Sequence, residues 1–232
     1  MKRALAGLAA LGLAHAAPAA AFVPALRPGG LAGQGEPGHV ALTFDDGPHP
    51  RSTPHFLRLL AEHHVRATFF VLGSELARTP GLGADIVGAG HEIALHGWDH
   101  RCLLRRGPRA TYDDLARGVD LIERTTSVTP RWVRAPYGVF SAASLVAARR
   151  LSLTPVLWTC WGFDWTSRAT PRTVFDTVNR RLRGGGTILL HDSDVAASVG
   201  SWKSTLGALP LLLEECRSRG LSVGPLSEHG MR

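Results

Sequence analysis

Cysteine is scarce in this chain, with three residues among 232. Cys102, Cys160 and Cys216 are too few for a disulfide framework, and none of them stands in a CxxC arrangement. One pair could form in an oxidising compartment, which would leave one thiol over. We therefore expect the cysteines to have packing roles.

Lysine is also rare, because nearly all of the 26 basic side chains are arginine. The formal net charge is +7, and loss of the first 21 residues would take away Lys2 and Arg3 and leave +5. Such a charge could help to hold an anionic polymer or a cell envelope. The sequence has no nucleic-acid-binding motif and no run of interleaved aromatic and basic residues, so nucleic acid is not an expected partner.

A hydrophobic run long enough to cross a membrane is missing, since a spanning helix needs about 20 apolar residues. Residues 4–26 approach that length, but His15, Pro18 and Pro24 interrupt them. We expect no stable membrane insertion of the mature chain.

The start of the chain instead predicts a secretory signal over residues 1–21. A positively charged beginning is followed by the apolar stretch Ala4–Ala14 and by small-x-small sites that end at Ala16 or Ala21. The expected location is therefore outside the cell or in the cell envelope. The alternative is a chain anchored in the membrane through an uncleaved signal.

The rest of the chain is long enough for one domain with one core, and 44% of all residues are apolar. Residues 22–35 are rich in glycine and proline and predict an arm or linker. Residues 36–227 predict a single domain, and residues 228–232 a short tail.

Strand-like and helix-like segments alternate throughout this domain. The strand-like runs are HVALTFD, ATFFVLG, HEIALH, RWVRAP, TPVLWTC, GTILLHD and LSVGPL. The helix-like segments are 53–64, 111–125, 141–150, 171–183 and 204–219, and two of them begin with Thr-Pro, a helix-start pattern. This alternation predicts an α/β fold with a parallel sheet, either open or closed into a barrel. Ligand chemistry in such folds gathers at the carboxyl ends of the strands.

Ionisable residues stand at or just after five of these predicted strand ends. They are Asp45 and Asp46, His96, Arg134, Asp164, and His191 with Asp192. Solvated loops are also polar, but they have no reason to favour these residue types at strand ends so consistently. The pattern predicts one polar site at one rim of the fold.

Asp45 and Asp46 raise a question, because adjacent like charges repel and raise each other's pKa. The sequence Asp-Asp-Gly-Pro is good turn chemistry, so a solvated turn is one interpretation. The other is a site in which the two acids have different roles.

His96 and His100 stand four residues apart in HGWDH, a spacing that can bring two imidazoles to one side of a helical turn or tight loop. One core histidine and one surface histidine would explain the motif equally well. With a carboxylate from another strand end, however, the pair predicts three protein ligands and an open position, as in catalytic zinc sites. If Asp46 is that carboxylate, its charge is compensated and Asp45 is free to accept a proton from water.

The remaining motifs are ambiguous when each is taken alone. RAPYG could be an extended segment with a turn, or Arg134 could hold a carboxylate through its planar guanidinium. GFDW could be aromatic packing, or Asp164 could be an acid beside an apolar pocket. His191 at the end of TILLHD could be a core histidine.

Together, five ordered motifs resemble those of one known family. They are TFDDG (43–47), HGWDH (96–100), RAPY (134–137), FDW (163–165) and LLHD (189–192). They look like the motifs of the polysaccharide deacetylases, the NodB-homology domains of carbohydrate esterase family 4. The resemblance covers roughly residues 36–227 and implies a single α/β domain that forms a distorted (β/α) barrel.

The resemblance implies a metal-dependent hydrolase that removes acetyl groups, most often from N-acetylglucosamine in peptidoglycan or chitin-type chains. Asp46, His96 and His100 would bind the divalent metal, usually Zn²⁺, although relatives accept Co²⁺ or Ni²⁺. Asp45 would be the general base, and Arg134 would orient it.

The same resemblance implies further roles. His191 would be the general acid and Asp164 its partner. The backbone N–H of Tyr137 would stabilise the oxyanion, and Trp165 and Leu189 would line the pocket for the acetyl methyl group.

Two positions depart from the family pattern. Gly97 stands where Ser or Thr usually follows the first histidine, and Trp161 stands where an acid usually lies three residues before the aspartate of Asp-Trp. The first departure removes a hydroxyl that could fix the loop, and the second could reshape the substrate groove.

The expected function is therefore exported, metal-dependent N-deacetylation of N-acetylglucosamine polymers. An O-acetyl esterase acting on xylan is the alternative within the same class. A glycan-binding module without catalysis is the alternative from another class.

Overall fold

Eight parallel strands form one sheet in the computed structural model of the protein, which describes residues 10–27 and 30–231. The strands are β1 (His39–Asp45), β2 (Thr68–Val71), β3 (Glu92–Leu95), β4 (Trp132–Val133), β5 (Thr154–Pro155), β6 (Cys160–Trp161), β7 (Thr187–His191) and β8 (Ser222–Gly224). Their order is β5-β4-β3-β2-β1-β7-β6, and β8 pairs with the start of β1. The centre of the sheet is β1, whose seven residues HVALTFD are all buried, as in a parallel strand covered on both faces.

The two outer strands of this order, β5 and β6, are separated in sequence only by residues 156–159. So short a connection covers at most about 3.6 Å per residue, and the two edges of the sheet must therefore come close together. The sheet curls into a half-barrel as a result. This confirms the predicted α/β class and the distorted barrel. The prediction of one strand over TPVLWTC was wrong, because the run divides into β5 and β6 at opposite edges.

Seven helices follow residue 50 in the described part of the chain. They are α1 (Thr53–Glu62), α2 (Gly73–Arg78), α3 (Pro80–Gly88), α4 (Pro108–Thr126), α5 (Ala142–Arg150), α6 (Pro171–Asn179) and α7 (Trp202–Ser218). The predicted apolar stripe of Leu115, Val119 and Ile122 on α4 is buried. Helices α2 and α3 were not predicted, because each is short and Pro80 separates them.

The two Thr-Pro helix starts behave differently. Thr170 accepts a hydrogen bond from the Thr173 N–H (3.2 Å) and caps α6 as predicted. Thr53 lies inside α1 and does not cap it, because its hydroxyl donates to Asp192 and accepts from the His49 N–H instead.

The chain before β1 packs against the barrel over much of its length. Residues 10–16 are helical and continue into a 3₁₀ turn at Ala17–Phe22. Further along, the Leu31 carbonyl accepts from the Leu157 N–H (2.7 Å) and the Gly33 carbonyl from the Thr187 hydroxyl (2.6 Å). The segment predicted as an arm thus contacts the domain. The predicted boundaries after residues 21, 35 and 227 stay predictions.

Two further sequence expectations concern the ends and the cysteines. Residues 1–9, the first part of the predicted signal, lie outside the described residues, and no helix among those described is long and apolar enough to span a membrane. The three cysteines are free thiols, and Cys160 and Cys216 are buried in the core, as their expected packing roles require.

Candidate active site

Asp45 and Asp46 lie at the carboxyl end of β1, and both face one cavity. Successive strand residues normally point to opposite faces, but Asp46 leaves strand geometry with a left-handed φ of 76°. The Ser193 hydroxyl donates to the Asp46 carbonyl at 3.0 Å and holds this turn against the end of β7. The two carboxylates are buried, which excludes the solvated turn.

Asp46, His96 and His100 form the expected cluster of metal-ligand atoms. One atom from each residue lies within 4.8 Å of the others. The Nε2 atoms of His96 and His100 are 3.4 Å and 3.3 Å from the same oxygen, Asp46 Oδ1. That buried oxygen has no hydrogen-bond partner.

The tautomer of His96 follows from its other ring nitrogen. Nδ1 lies 2.9 Å from the Arg134 carbonyl oxygen, which can only accept a hydrogen bond. Nδ1 therefore carries the proton, and the lone pair on Nε2 faces Asp46. Burial lowers the pKa of His96 and of His100 to about 3, so both imidazoles are neutral as metal ligation requires. An unpartnered carboxylate oxygen beside two neutral imidazoles fits a divalent metal of the zinc type.

Arg134 lies behind the cavity and is completely buried. Its Nη1 donates to Asp45 Oδ1 (2.7 Å) and to the Thr43 hydroxyl (2.8 Å), and its Nη2 donates to the Leu157 carbonyl (2.8 Å). This geometry leaves Asp45 Oδ2 facing the cavity, 3.6 Å from His96 Nε2. Burial raises the pKa of the Asp45 carboxyl, and Arg134 opposes that effect.

His191 is the register partner of Asp45 on the neighbouring strand β7. Its Nδ1 is 3.0 Å from Asp164 Oδ1, and its Nε2 is 3.9 Å from Asp46 Oδ2. The Thr205 hydroxyl donates to Asp164 Oδ2 at 2.7 Å and fixes that carboxylate. Burial lowers the pKa of His191, but Asp164 and the other nearby acids outweigh it and raise the pKa to about 10.

The cavity has a volume of about 270 Å³ and takes in eight of the ten predicted site residues. Arg134 and Asp164 stand behind it. Leu189 and Trp165 line it as expected, and the exposed ring of Tyr137 packs on His100 with 4.5 Å between centroids. The structure thus brings all ten predicted residues into one site, while their individual roles remain predictions.

Three aromatic residues of this cavity were not among the predicted site residues: Phe22, Trp158 and Trp161. Trp161 packs 5.3 Å from Trp165, 5.4 Å from Trp158 and 6.2 Å from Phe22 between ring centroids. Phe22 had no signal in the sequence, because it directly follows the apolar signal-like segment. Trp158 lies in a run that was interpreted as one strand.

Four non-glycine residues at or beside this cavity have a positive φ: Asp46, His100, Tyr137 and Phe163. Left-handed backbone is uncommon for such residues, and it clusters where a site demands a special geometry. At Tyr137 the φ is 60°, within the motif whose N–H was expected to face the oxyanion.

Comparison with known proteins gives one consistent family. A family model described as polysaccharide deacetylase matches residues 32–156. A chitooligosaccharide deacetylase of Bradyrhizobium sp. (strain ANU 289) is 34% identical over 196 residues, which cover 82% of this chain and 89% of the relative.

Two solved structures have the same fold. The peptidoglycan N-acetylglucosamine deacetylase Bc1960 superposes with a TM-score of 0.79 at 26% identity, covering 85% of this chain and 91% of the other. The second structure is a mutant, with restored activity, of BA3943, a pseudoenzyme of carbohydrate esterase family 4 from Bacillus anthracis. It superposes with a TM-score of 0.77 at 27% identity, covering 84% of this chain and 69% of the other. This chain belongs to the polysaccharide deacetylase family.

Proposed function

We propose that the protein is an exported, metal-dependent hydrolase that removes N-acetyl groups from polymers of N-acetylglucosamine. The observation that carries this proposal is the buried cluster of Asp46, His96 and His100 with Asp45 and His191 beside it. The relatives named for chitooligosaccharide and peptidoglycan deacetylation support the substrate class. The predicted signal supports export.

Asp46, His96 and His100 would hold the metal, for which we propose Zn²⁺, with Co²⁺ or Ni²⁺ as substitutes. Bound there, a divalent ion would polarise the acetyl carbonyl and lower the pKa of a water molecule.

Asp45 is suited to take the proton from the attacking water. Arg134 occupies Asp45 Oδ1, so the oxygen that accepts the proton is Oδ2, which faces the cavity. Because Arg134 is held by three acceptors in the core, it fixes the direction of that carboxylate before substrate binds.

His191 is suited to give a proton to the departing nitrogen. An amide nitrogen is a poor leaving group until it is protonated, and a general acid typically contributes 10²–10⁴-fold in rate. With a pKa of about 10, His191 holds its proton at neutral pH. Asp164 keeps Nδ1 protonated, so the donating atom is Nε2.

The substrate is positioned by the remaining groups. The Tyr137 N–H would donate to the developing oxyanion, as preorganised donors do in acyl-transfer sites. Leu189 and Trp165 offer an apolar wall to the acetyl methyl group.

The test is acetate release by the full chain after chelator treatment, before and after addition of zinc. Chitopentaose, peptidoglycan and acetylxylan are assayed in parallel. We expect zinc to restore release from one of the first two. Asp45→Asn is the matched control, because it keeps the three metal ligands and removes only the base: it should bind zinc and release no acetate. Release from acetylxylan alone would favour the O-acetyl esterase. Glycan binding that is the same with and without zinc, and no acetate release from any substrate, would favour a binding module.

A further inference from the structure

A second cavity of about 670 Å³ adjoins the candidate active site. The two cavities share His100 and Tyr137 in their lining. A glycan chain that places one sugar at the metal-ligand cluster can therefore place a neighbouring sugar in the second cavity. The motif that supplies His100 continues directly into the segment that lines it.

The lining of this cavity is strongly basic. Arg101, Arg105 and Arg106 all line it, whereas no acidic residue does. Two carboxylates lie close behind. Asp99 pairs with Arg101 (3.0 Å) and with Arg106 (2.8 Å), and Asp114 pairs with Arg106 (2.7 Å).

Arg105 is the guanidinium left without an acid. The three arginines have two carboxylates near them. Arg101 and Arg106 form ion pairs with these carboxylates, whereas Arg105 forms no ion pair with any of the described residues. Arg105 is exposed at the cavity. A planar guanidinium with free donors matches a carboxylate in a bidentate manner.

The backbone that carries these arginines is anchored to the core. Leu103, in the 3₁₀ turn that ends at Arg105, is buried. Asp114 on α4 accepts from the Trp98 N–H at 3.1 Å as well as from Arg106, which ties both ends of the segment to that helix. A ligand would therefore meet a preformed cavity and would need to order only the Arg105 side chain.

We propose that this cavity is a subsite for a sugar that carries a carboxylate, next to the acetylated sugar in the active site, with Arg105 as the residue that recognises the carboxylate. The inference rests on the proposed function and refines its substrate class to an anionic N-acetylglucosamine polymer instead of neutral chitin.

The experiment compares substrates that differ only in this charge. One is a tetrasaccharide of alternating N-acetylglucosamine and N-acetylmuramic acid without peptide, whose lactyl groups carry the carboxylates. The second is its methyl ester. KM and kcat for zinc-dependent acetate release are measured with the wild type, with Arg105→Gln and with Arg109→Gln. Arg109 is an exposed arginine of the same region that does not line the cavity.

For Arg105→Gln, we expect a KM for the acid about twofold to fivefold higher, the range of an accessible charge pair, and an unchanged KM for the ester. Arg109→Gln should leave both values as in the wild type. Equal effects on acid and ester would show a merely structural role, and an equal effect of Arg109→Gln would show general charge attraction; either result overturns the subsite.

Binding of the acid tetrasaccharide is measured separately by calorimetry. If no acetate is released from these two substrates or from chitopentaose, the proposed function fails, yet weaker binding by Arg105→Gln alone would still support the subsite. Binding that is the same in all three proteins would overturn it.

Discussion

The Asp164 carboxylate holds His191 at two points: Oδ1 lies 3.0 Å from the imidazole Nδ1, and Oδ2 accepts the His191 backbone N–H at 2.8 Å. Ring and backbone are therefore fixed by one group, and only Nε2 remains to face the cavity. Asp164 is itself fixed by the Thr205 hydroxyl. The direction of the imidazole is therefore set by strand β7, by the segment between β6 and α6 that carries Asp164, and by helix α7 that carries Thr205. The arrangement suits a proton donor whose donating atom and charge must both be defined before substrate arrives.

Asp164→Asn should shift the alkaline limb of the pH–rate profile to lower pH. Asp164 is the strongest influence that raises the pKa of His191, to about 10 against the opposing effect of burial. Without the carboxylate that pKa falls, so His191 loses its proton at lower pH and the general acid is missing there. We expect kcat/KM at pH 8 to fall about 10²-fold or more. The profile of kcat/KM from pH 6 to 10 measures this, with Thr205→Val as a milder control, and an unshifted limb would contradict the assignment of His191.

Removing Arg134 should destabilise the protein strongly. Arg134→Met leaves Asp45 as a buried charge without its partner, which typically costs 3–5 kcal/mol of unfolding free energy. In the double variant Arg134→Met, Asp45→Leu no buried charge remains, and we expect part of that loss to be recovered. Urea unfolding of the three proteins measures the effect. A loss below about 1 kcal/mol in the single variant would mean that water reaches Asp45.

Zinc binding should release one proton below neutral pH. Burial raises the pKa of Asp46 to about 7, whereas His96 and His100 are already neutral with pKa values of about 3. Below pH 7 the metal must displace the proton of Asp46, so affinity should fall about tenfold per pH unit between pH 7 and pH 5. Calorimetry of the chelator-treated protein in two buffers of different ionisation enthalpy counts the protons. His100→Ala should weaken binding but keep the release, while Asp46→Asn should abolish it.

The rule that chemistry gathers at the carboxyl ends of parallel strands located most of the candidate site from the sequence. It worked because β1, β3 and β7 are long enough to show as strands, so Asp45, His96 and His191 fell at visible ends. Arg134 follows a strand of only two residues, but its motif marked the position.

The rest depended on tertiary structure that local patterns do not encode. The division of TPVLWTC between two edges follows from closure of the half-barrel. Phe22 reaches the cavity because Arg27 donates to the Ala21, Phe22 and Trp158 carbonyls and holds that segment in place. Such long-range contacts produce no periodic pattern in the sequence. The left-handed backbone of Tyr137 also leaves no local sequence pattern from which it could be predicted.

Gly97→Ser restores the residue type usual in the family, yet it should weaken the fold and leave zinc affinity unchanged. Gly97 has a φ of +81°, where a side chain costs about 1–2 kcal/mol. An added Cβ would lie 3.4 Å from Asp114 Oδ2, an ordinary contact that relieves none of this strain. Chemical unfolding and zinc titration measure the two effects. Gly220→Ser is the matched control, because its φ is +67° and nothing lies near its Cβ position. Tighter zinc binding by Gly97→Ser would contradict the prediction.

Trp161→Asp restores the other family residue, and we expect it to impair the protein. His191 already has an acidic partner, because Asp164 bonds to both its imidazole Nδ1 and its backbone N–H, and the Thr205 hydroxyl donates to Asp164. The tryptophan instead packs with Phe163 at 4.5 Å and Trp165 at 5.3 Å, and it lines the active-site cavity. Each aromatic pair contributes about 0.5–1.5 kcal/mol, so losing the ring should loosen the wall that holds the acetyl group.

For Trp161→Asp the KM should therefore rise roughly tenfold, because the substrate binds more weakly. The change in kcat should be smaller, because the base and the acid stay in place. Trp161→Phe keeps a ring against Phe163 and Trp165 and should stay within about threefold of the wild-type KM. Steady-state kinetics on one soluble acetylated oligosaccharide separates the two parameters. A higher kcat in Trp161→Asp would mean that the family's acid has a catalytic role that Asp164 does not supply, and that the tryptophan in this chain limits turnover.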